Sequence, residues 1–138
     1  MDADVRWEQR FESLERALAL LREPIDRGVE SLSALECEGM VHRFEFALEL
    51  CWKTMKDYLE REGVALDSAT PRAVVKAAFG ARLVVDGQVW IDMLDHRNLL
   101  SHTYDRTTFD RAVIAVAHRY YPAMEVLRTS LAGRRTST

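Results

Sequence analysis

Apolar residues recur along almost the whole chain with the spacing of an α-helix. Near the N-terminus the intervals are four, three, four and three residues, in the series Trp7, Phe11, Leu14, Leu18 and Leu21. This period places the side chains on one face of a helix, which other helices must cover. The strand-like run Leu83-Val84-Val85 is too short to build a sheet. The pattern therefore predicts an all-α protein.

Local signals divide the chain into about five helices with short connections. Pro24 is expected to end or bend the first helix near Glu23. Ser33 and Glu36 have the spacing of a capping box at the start of a long second helix. Later boundaries are predicted at Gly63, Thr70-Pro71, Gly80, Asp86-Gly87 and Thr107 with Asp110, and Pro122 should bend the fifth helix. We expect an up-and-down helical bundle in a single domain, 1–132, and a disordered tail, 133–138.

The second predicted helix has two apolar faces. Its core stripe consists of Val41, Phe44, Leu48, Cys51, Met55 and Tyr58 with Leu59. Phe46 and Leu50 fall outside this stripe, on a second apolar strip. A helix with two apolar faces usually packs against two neighbours. We therefore expect a homodimer in which a second subunit covers the second strip.

Charge and composition limit the possible partners and the compartment. The formal net charge of the 138 residues is −3, so any contact with RNA must be local. Cys37 and Cys51 lie in apolar helical patterns and form no CxxC pair, which indicates buried free thiols in a reducing cytoplasm. The sequence has no long apolar run and begins Met-Asp-Ala-Asp, so we expect a cytoplasmic protein without a membrane partner.

The segment from Arg97 to Asp105 carries the candidate chemistry. Arg97 is a permanent cation suited to phosphate, His102 titrates near neutrality, and Tyr104 supplies a phenol. In phosphodiester cleavage without a metal, His102 would take the proton of a ribose 2′-OH or protonate the leaving 5′-oxygen. The structural alternative is that Arg97 and His102 only cap a helix C-terminus and that Tyr104 is a packed aromatic.

The spacing of Arg97 and His102 restricts how the two side chains can meet. Residues five apart on one regular helix lie about 140° apart around its axis. Either the helix ends near Leu100 and the chain turns His102 back, or a second copy supplies the missing partner across a dimer. We predict no metal and no cofactor, because Asp92 and His96 have ligand spacing but no third ligand matches them. The sequence also lacks a glycine-rich phosphate loop and a nucleophile elbow.

Three blocks occur in order along the sequence, Arg43 to Leu59, Ser68 to Phe79 and Trp90 to Asp105, and the match they belong to covers most of the chain. They resemble the second helix, the third helix and the functional segment of the nucleotidyltransferase substrate-binding proteins. These proteins are a branch of the HEPN superfamily of helical bundles. His96 departs from the acidic residue expected before the arginine.

The resemblance implies a homodimer in which the R-x4-H motifs meet at the subunit interface. It also implies a metal-independent endoribonuclease toxin that pairs with a separately encoded minimal nucleotidyltransferase. Carried over by position, Arg97 would bind phosphate, His102 would be the general acid or base, and Tyr104 would be the acceptor for adenylylation. Asn98 and Asp95 would support them.

Two functions from different classes remain open at this stage. The first is a ribonuclease of a toxin–antitoxin pair whose activity is stopped by adenylylation. The second is a non-catalytic subunit that docks on a nucleotidyltransferase and binds nucleotide or phosphate. A helical dimer without activity is the remaining alternative.

Overall fold

In the computed structural model, which describes residues 3–102 and 105–135, every regular element is a helix. In chain order the elements are α1 (Ala3–Arg27), a 3-10 turn (Val29–Ser31), α2 (Ala34–Arg61), α3 (Pro71–Gly80), α4 (Gly87–His102), α5 (Arg106–Ala115), a π-helical segment (Val116–Tyr120) and α6 (Tyr121–Ala132). Helix α5, the π-helical segment and α6 have helical backbone at both junctions and form one continuous helix. The all-α fold with about five helices is confirmed. Within the described ranges, no helix combines the length and hydropathy needed to cross a membrane.

The core lies between α1 and α2, with α3 to α6 packed around this pair. All members of the predicted α1 series are buried, and so are all members of the predicted α2 stripe. The buried carboxylate of Asp57 on α2 accepts a hydrogen bond from Arg10 on α1 at 3.1 Å. This contact keeps a buried charge paired, which matters because an unpaired buried charge is strongly destabilising.

The helix boundaries follow local hydrogen bonds that the sequence predicts. Ser33 Oγ accepts from the Glu36 amide at 3.1 Å, and Glu36 Oε1 accepts from the Ser33 amide at 2.9 Å. The predicted capping box is thus confirmed. The boundaries predicted at Gly63, at Thr70 and at Asp86 are confirmed as well: Gly63 follows α2 with φ 75°, and the Thr70 and Asp86 side chains accept amide hydrogen bonds where α3 and α4 begin.

Of the two alternatives predicted at Pro24, an end of helix α1 near Glu23 is wrong. The helix continues through Pro24 to Arg27. Proline has no N–H, so the carbonyl of Leu20 loses its partner inside the helix. Arg43 of α2 replaces that partner: its Nη1 donates to the Leu20 oxygen at 2.6 Å and pairs with Glu23 at 3.0 Å. A side chain from the neighbouring helix therefore compensates for the proline.

The fifth predicted helix begins earlier than expected and accommodates Pro122 by a π turn. Asp105, rather than Thr107, is its N-cap and accepts from the Thr108 amide at 3.2 Å. The Tyr121 amide bonds to the carbonyl of Val116, five residues back. Because the proline ring would collide with the preceding turn of a regular helix, the wider turn makes room for it.

The cysteines and the first tail residues lie against the bundle. Cys51 is a buried free thiol and Cys37 a half-buried one, as expected, and burial raises the pKa of each. Arg134 donates to the Tyr58 hydroxyl at 3.1 Å, and Arg135 pairs with Glu12 at 3.2 Å. Residues 136–138 of the predicted tail lie outside the described residues.

We expect Arg43→Ala to lower the free energy of unfolding by about 1 kcal/mol, because the Leu20 carbonyl loses a charge-assisted hydrogen bond that water only partly replaces. Urea denaturation followed by circular dichroism measures this change. Arg22→Ala is the matched control, since Arg22 pairs only locally with Asp26 at 3.0 Å and such exposed pairs contribute about 0.5 kcal/mol or less. Equal effects of the two substitutions would contradict the role given to Arg43.

Candidate functional site

Helix α4 carries the candidate site and runs unbroken from Gly87 to His102. The alternative in which it ends near Leu100 is therefore wrong. No glycine or proline interrupts this stretch, and the Ser101 hydroxyl donates to the Arg97 carbonyl at 3.0 Å across the last turn. The backbone positions of Arg97 and His102 consequently lie about 140° apart around one helix axis. The side chain of His102, and Thr103 and Tyr104 entirely, lie outside the described residues.

Arg97 lies on the side of α4 that faces α2. Its side chain is 24% exposed, and its Nη1 lies 3.6 Å from Oε2 of Glu49. A guanidinium has several N–H donors, and a single long contact occupies a small part of them. The arrangement leaves the arginine able to bind an oxyanion while it remains paired with α2.

Two further donors, both from α2, hold the Glu49 carboxylate. The Trp52 indole N–H donates to Oε2 at 3.1 Å, and the Lys53 ammonium lies 3.0 Å from Oε1. Partial burial opposes ionisation of this carboxyl, but the bonds from Lys53 and Trp52 and the charge of Arg97 outweigh it, so the pKa of Glu49 lies below its ordinary value. Glu49 is therefore anionic at neutral pH.

Asp95 and Asn98, the two residues of α4 expected to support the site, have different surroundings. Asp95 pairs with Arg72 of α3 at 2.7 Å, and both side chains are about half exposed. Asn98 is exposed. The structure thus brings Arg97 together with Glu49 of α2, while Asp95 connects α4 to α3.

His96 anchors α4 to the π-helical segment. Its Nδ1 shares a hydrogen bond with the hydroxyl of Tyr120, which is buried and stacks on Phe44 at a centroid distance of 5.6 Å. Burial raises the pKa of Tyr120, so the phenol keeps its proton. Sequence reasoning missed this contact. The one sequence signal near this contact is Pro122, which predicts a distorted helix two residues after Tyr120. Distorted segments of the π type are frequent at functional sites.

Asp92 and His96, the pair with metal-ligand spacing, have other partners. Asp92 lies 2.6 Å from Arg119 and accepts from Gln88 at 2.8 Å. The bonds from Gln88 and Arg119 lower the pKa of Asp92. In the part of the chain that the structure describes, no group of three or more potential ligands is placed to hold a metal ion.

A cleft of about 380 Å³ lies beside the end of α4, between α2 and α5. It is lined by Glu38, Val41, His42, Glu45, Leu100, Asp105, Arg106 and Phe109. Three of these side chains are apolar and three are carboxylic acids. The hydroxyl and amide of Thr108 lower the pKa of Asp105, so this rim residue is ionised at neutral pH. Because three carboxylic acids face a single arginine, Arg106, the lining disfavours phosphate and favours groups that donate hydrogen bonds.

The fold and the site define a small helical bundle that presents an ion-paired arginine on α4. The sequence model of a family described as "Nucleotidyltransferase substrate binding protein like" matches residues 9–133. The chain belongs to this family, and the resemblance drawn from the three sequence blocks is confirmed.

Individual relatives agree with this assignment. A Haemophilus influenzae protein described as "Probable ribonuclease HepT" is 32% identical over 71 residues, 49% of this chain and 49% of that protein. The chain thus matches about half the length of this curated relative. The crystal structure of a protein from Thermus thermophilus has a TM-score of 0.74 at 32% identity and covers 90% of this chain and 99% of that one.

HI0074 from Haemophilus influenzae has a TM-score of 0.62 at 25% identity, covering 95% of this chain and 99% of that one. Its structure is described as the fold of a substrate binding domain of a nucleotidyltransferase. These similarities confirm the predicted HEPN-like helical fold.

We expect Tyr120→Phe to lower the free energy of unfolding by about 1 to 2 kcal/mol, because a half-buried His96 nitrogen loses its partner. Thermal and urea denaturation measure the loss. Tyr121→Phe is the matched control: its hydroxyl bonds to Glu125 at 3.0 Å, and that half-exposed carboxylate can bond to water instead. The anchoring role of Tyr120 is contradicted if the control destabilises the protein as much.

Proposed function

We propose that this chain is a metal-independent endoribonuclease, the toxin of a toxin–antitoxin pair, that acts in the cytoplasm and is silenced by adenylylation. The observation that carries the proposal is Arg97, whose acidic partner among the described residues is Glu49 and which lies in one unbroken helix with His102. The ribonuclease description of the Haemophilus influenzae relative supports it.

The active site in this proposal is shared between two copies of the chain. One regular helix separates Arg97 and His102 by about 140°, so a second α4 supplies the partner group. Exposed apolar side chains on both elements of the site support such a homodimer: Phe46 on α2 is 56% exposed and Leu99 on α4 is 44% exposed. Exposed apolar surface of this kind favours association. Leu50, the other member of the predicted strip, is half-buried against the core.

The proposed reaction is an internal transesterification of RNA. The ribose 2′-oxygen attacks the adjacent phosphorus, the bond from phosphorus to the 5′-oxygen breaks, and the products carry a 2′,3′-cyclic phosphate and a 5′-hydroxyl. One His102 takes the 2′-OH proton and the other protonates the leaving 5′-oxygen, which is general acid–base catalysis of the kind that contributes about 10²–10⁴ in rate. Arg97 binds the phosphate oxygens and stabilises the charge that develops on them.

The proposed partner is a separately encoded minimal nucleotidyltransferase. It transfers AMP from ATP to the hydroxyl of Tyr104, with release of pyrophosphate, and the added phosphate and base then block the site. The family to which the chain belongs, with its link to nucleotidyltransferases, supports this pairing. Asp95 supports the site because its pairing with Arg72 fixes the turn of α4 that holds Arg97. Asn98 flanks that turn.

The second candidate is a non-catalytic subunit that docks on the nucleotidyltransferase and binds nucleotide or phosphate at the same arginine. The description of HI0074 as a substrate binding domain favours it. The two candidates differ in whether RNA is cut, so one cleavage assay separates them.

We expect the purified chain to cleave single-stranded RNA in EDTA, leaving 2′,3′-cyclic phosphate ends. His102→Ala and Arg97→Ala should each lower the rate by about 10²-fold or more. His118→Ala is the matched control, because His118 is an exposed histidine on the π-helical segment and should leave the rate unchanged.

Absence of cleavage by the unmodified chain rules out the ribonuclease. Nucleotide binding that persists without cleavage, and that Arg97→Ala abolishes, then establishes the substrate-binding alternative.

We expect ATP and the partner nucleotidyltransferase to add one or more AMP units to the chain, seen as a mass increase in the intact protein. Tyr104→Phe should abolish the increase, because it removes the acceptor hydroxyl. Tyr121→Phe is the control and should be modified normally. A mass increase that survives in Tyr104→Phe would assign the acceptor elsewhere.

A further inference from the structure

The carboxylate of Glu49 connects α2 to the arginine of the candidate site. Its Oε1 lies 3.0 Å from the Lys53 ammonium, and its Oε2 accepts from the Trp52 indole at 3.1 Å and lies 3.6 Å from Arg97 Nη1 of α4. Two contacts within α2 hold the carboxylate independently of the arginine. Glu49 is therefore an oriented acceptor rather than a mobile surface acid.

Stability alone is a weak explanation for this arrangement. The Glu49 and Arg97 side chains are 42% and 24% exposed, and their closest N···O distance is 3.6 Å. Ion pairs of this exposure contribute little to folding, about 0 to 1 kcal/mol. The geometry has a larger effect on the arginine itself, whose long side chain loses most of its freedom when one end is held. Catalytic groups depend strongly on such placement.

Glu49, Lys53 and Arg97 form a cluster whose net charge suits an oxyanion despite the carboxylate. Glu49 contributes one negative charge, and Lys53 and Arg97 contribute two positive charges. The cluster thus keeps one net positive charge in a chain whose net charge is −3. Lys53 offsets the repulsion that Glu49 would exert on a phosphate, so Glu49 can hold Arg97 without cancelling its attraction.

We infer that Glu49 is a positioning residue for Arg97, and that Trp52 and Lys53 hold it in place for that purpose. The inference deepens the proposed ribonuclease and rests on it. Glu49 touches no substrate atom in this mechanism. It acts by orienting the guanidinium of Arg97 so that its N–H groups meet the phosphate of the RNA.

The test compares Glu49→Ala with Glu60→Ala. Glu60 also lies on α2, pairs with Lys56 one turn away at 2.7 Å, and reaches Arg6 of α1 at 3.8 Å, far from Arg97. We expect Glu49→Ala to lower RNA cleavage by about tenfold or more with an unchanged melting temperature. We expect Glu60→Ala to leave cleavage unchanged.

A double-mutant cycle separates positioning from an independent effect. In Glu49→Ala/Arg97→Ala the loss should equal that of Arg97→Ala alone, because Glu49 has nothing left to position. Multiplied losses would overturn the inference, and so would a Glu49→Ala protein that cleaves like the unmodified chain.

A measurement independent of cleavage distinguishes failure of this inference from failure of the proposed function. The ¹⁵N relaxation of the Arg97 Nε–H group reports its order on the picosecond to nanosecond timescale. We expect the order parameter to fall in Glu49→Ala and to stay unchanged in Glu60→Ala. If the chain cleaves no RNA, the ribonuclease proposal fails, and an unchanged order parameter in Glu49→Ala overturns the inference by itself.

Discussion

The packing of α1 on α2 is the interaction on which the rest of the bundle depends. It buries the longest apolar seam of the chain, and its one buried carboxylate among the described residues, Asp57, is paired across the interface with Arg10. The same interface explains why α1 continues through Pro24, because Arg43 can reach the Leu20 carbonyl only when the helices are closely packed. Glu49 lies on the same helix α2, so the packing that fixes α2 against α1 also sets the position of the carboxylate that Arg97 of α4 contacts.

The continuity of α4 determines what one copy of the chain can do. A helix that runs from Gly87 to His102 separates Arg97 from His102 by geometry, whatever their chemistry. The same continuity allows α4 to be fixed at several points: His96 bonds to buried Tyr120, Asp95 pairs with Arg72, and Arg97 pairs with Glu49. A rigid helix positions functional groups more accurately than a loop does. The unbroken helix α4 therefore both holds Arg97 rigidly and separates it from His102. The separation favours a site completed by a second copy of the chain.

The fold could be predicted from the sequence wherever its signals are local. Helical periodicity identified the core of α1 and α2, and the Ser33 capping box and Thr70 marked helix starts correctly, because caps depend on residues within one turn. Prediction failed where a distant residue decides the outcome. The passage through Pro24 depends on Arg43, which is remote in sequence. The same distinction between local signals and distant contacts applies to the candidate site. Arg97 could be identified from its residue type, whereas its partner Glu49 could not, because periodicity does not show which helix covers that face of α2.

The acidic net charge and the phosphate-binding role proposed for Arg97 are compatible because the charges are segregated. Contacts with nucleic acid phosphates rely on cations, and a chain with net charge −3 has no general field to attract RNA. Arg97 and Lys53 outweigh Glu49 at one end of α4, while Glu38, Glu45 and Asp105 line the neighbouring cleft. A strand bound across this boundary would place a phosphate on the arginine and a base over the acidic, partly apolar cleft. In the proposed function Glu49 has a specific part in this arrangement, since it holds the cation to which the phosphate would bind while Lys53 compensates for its negative charge.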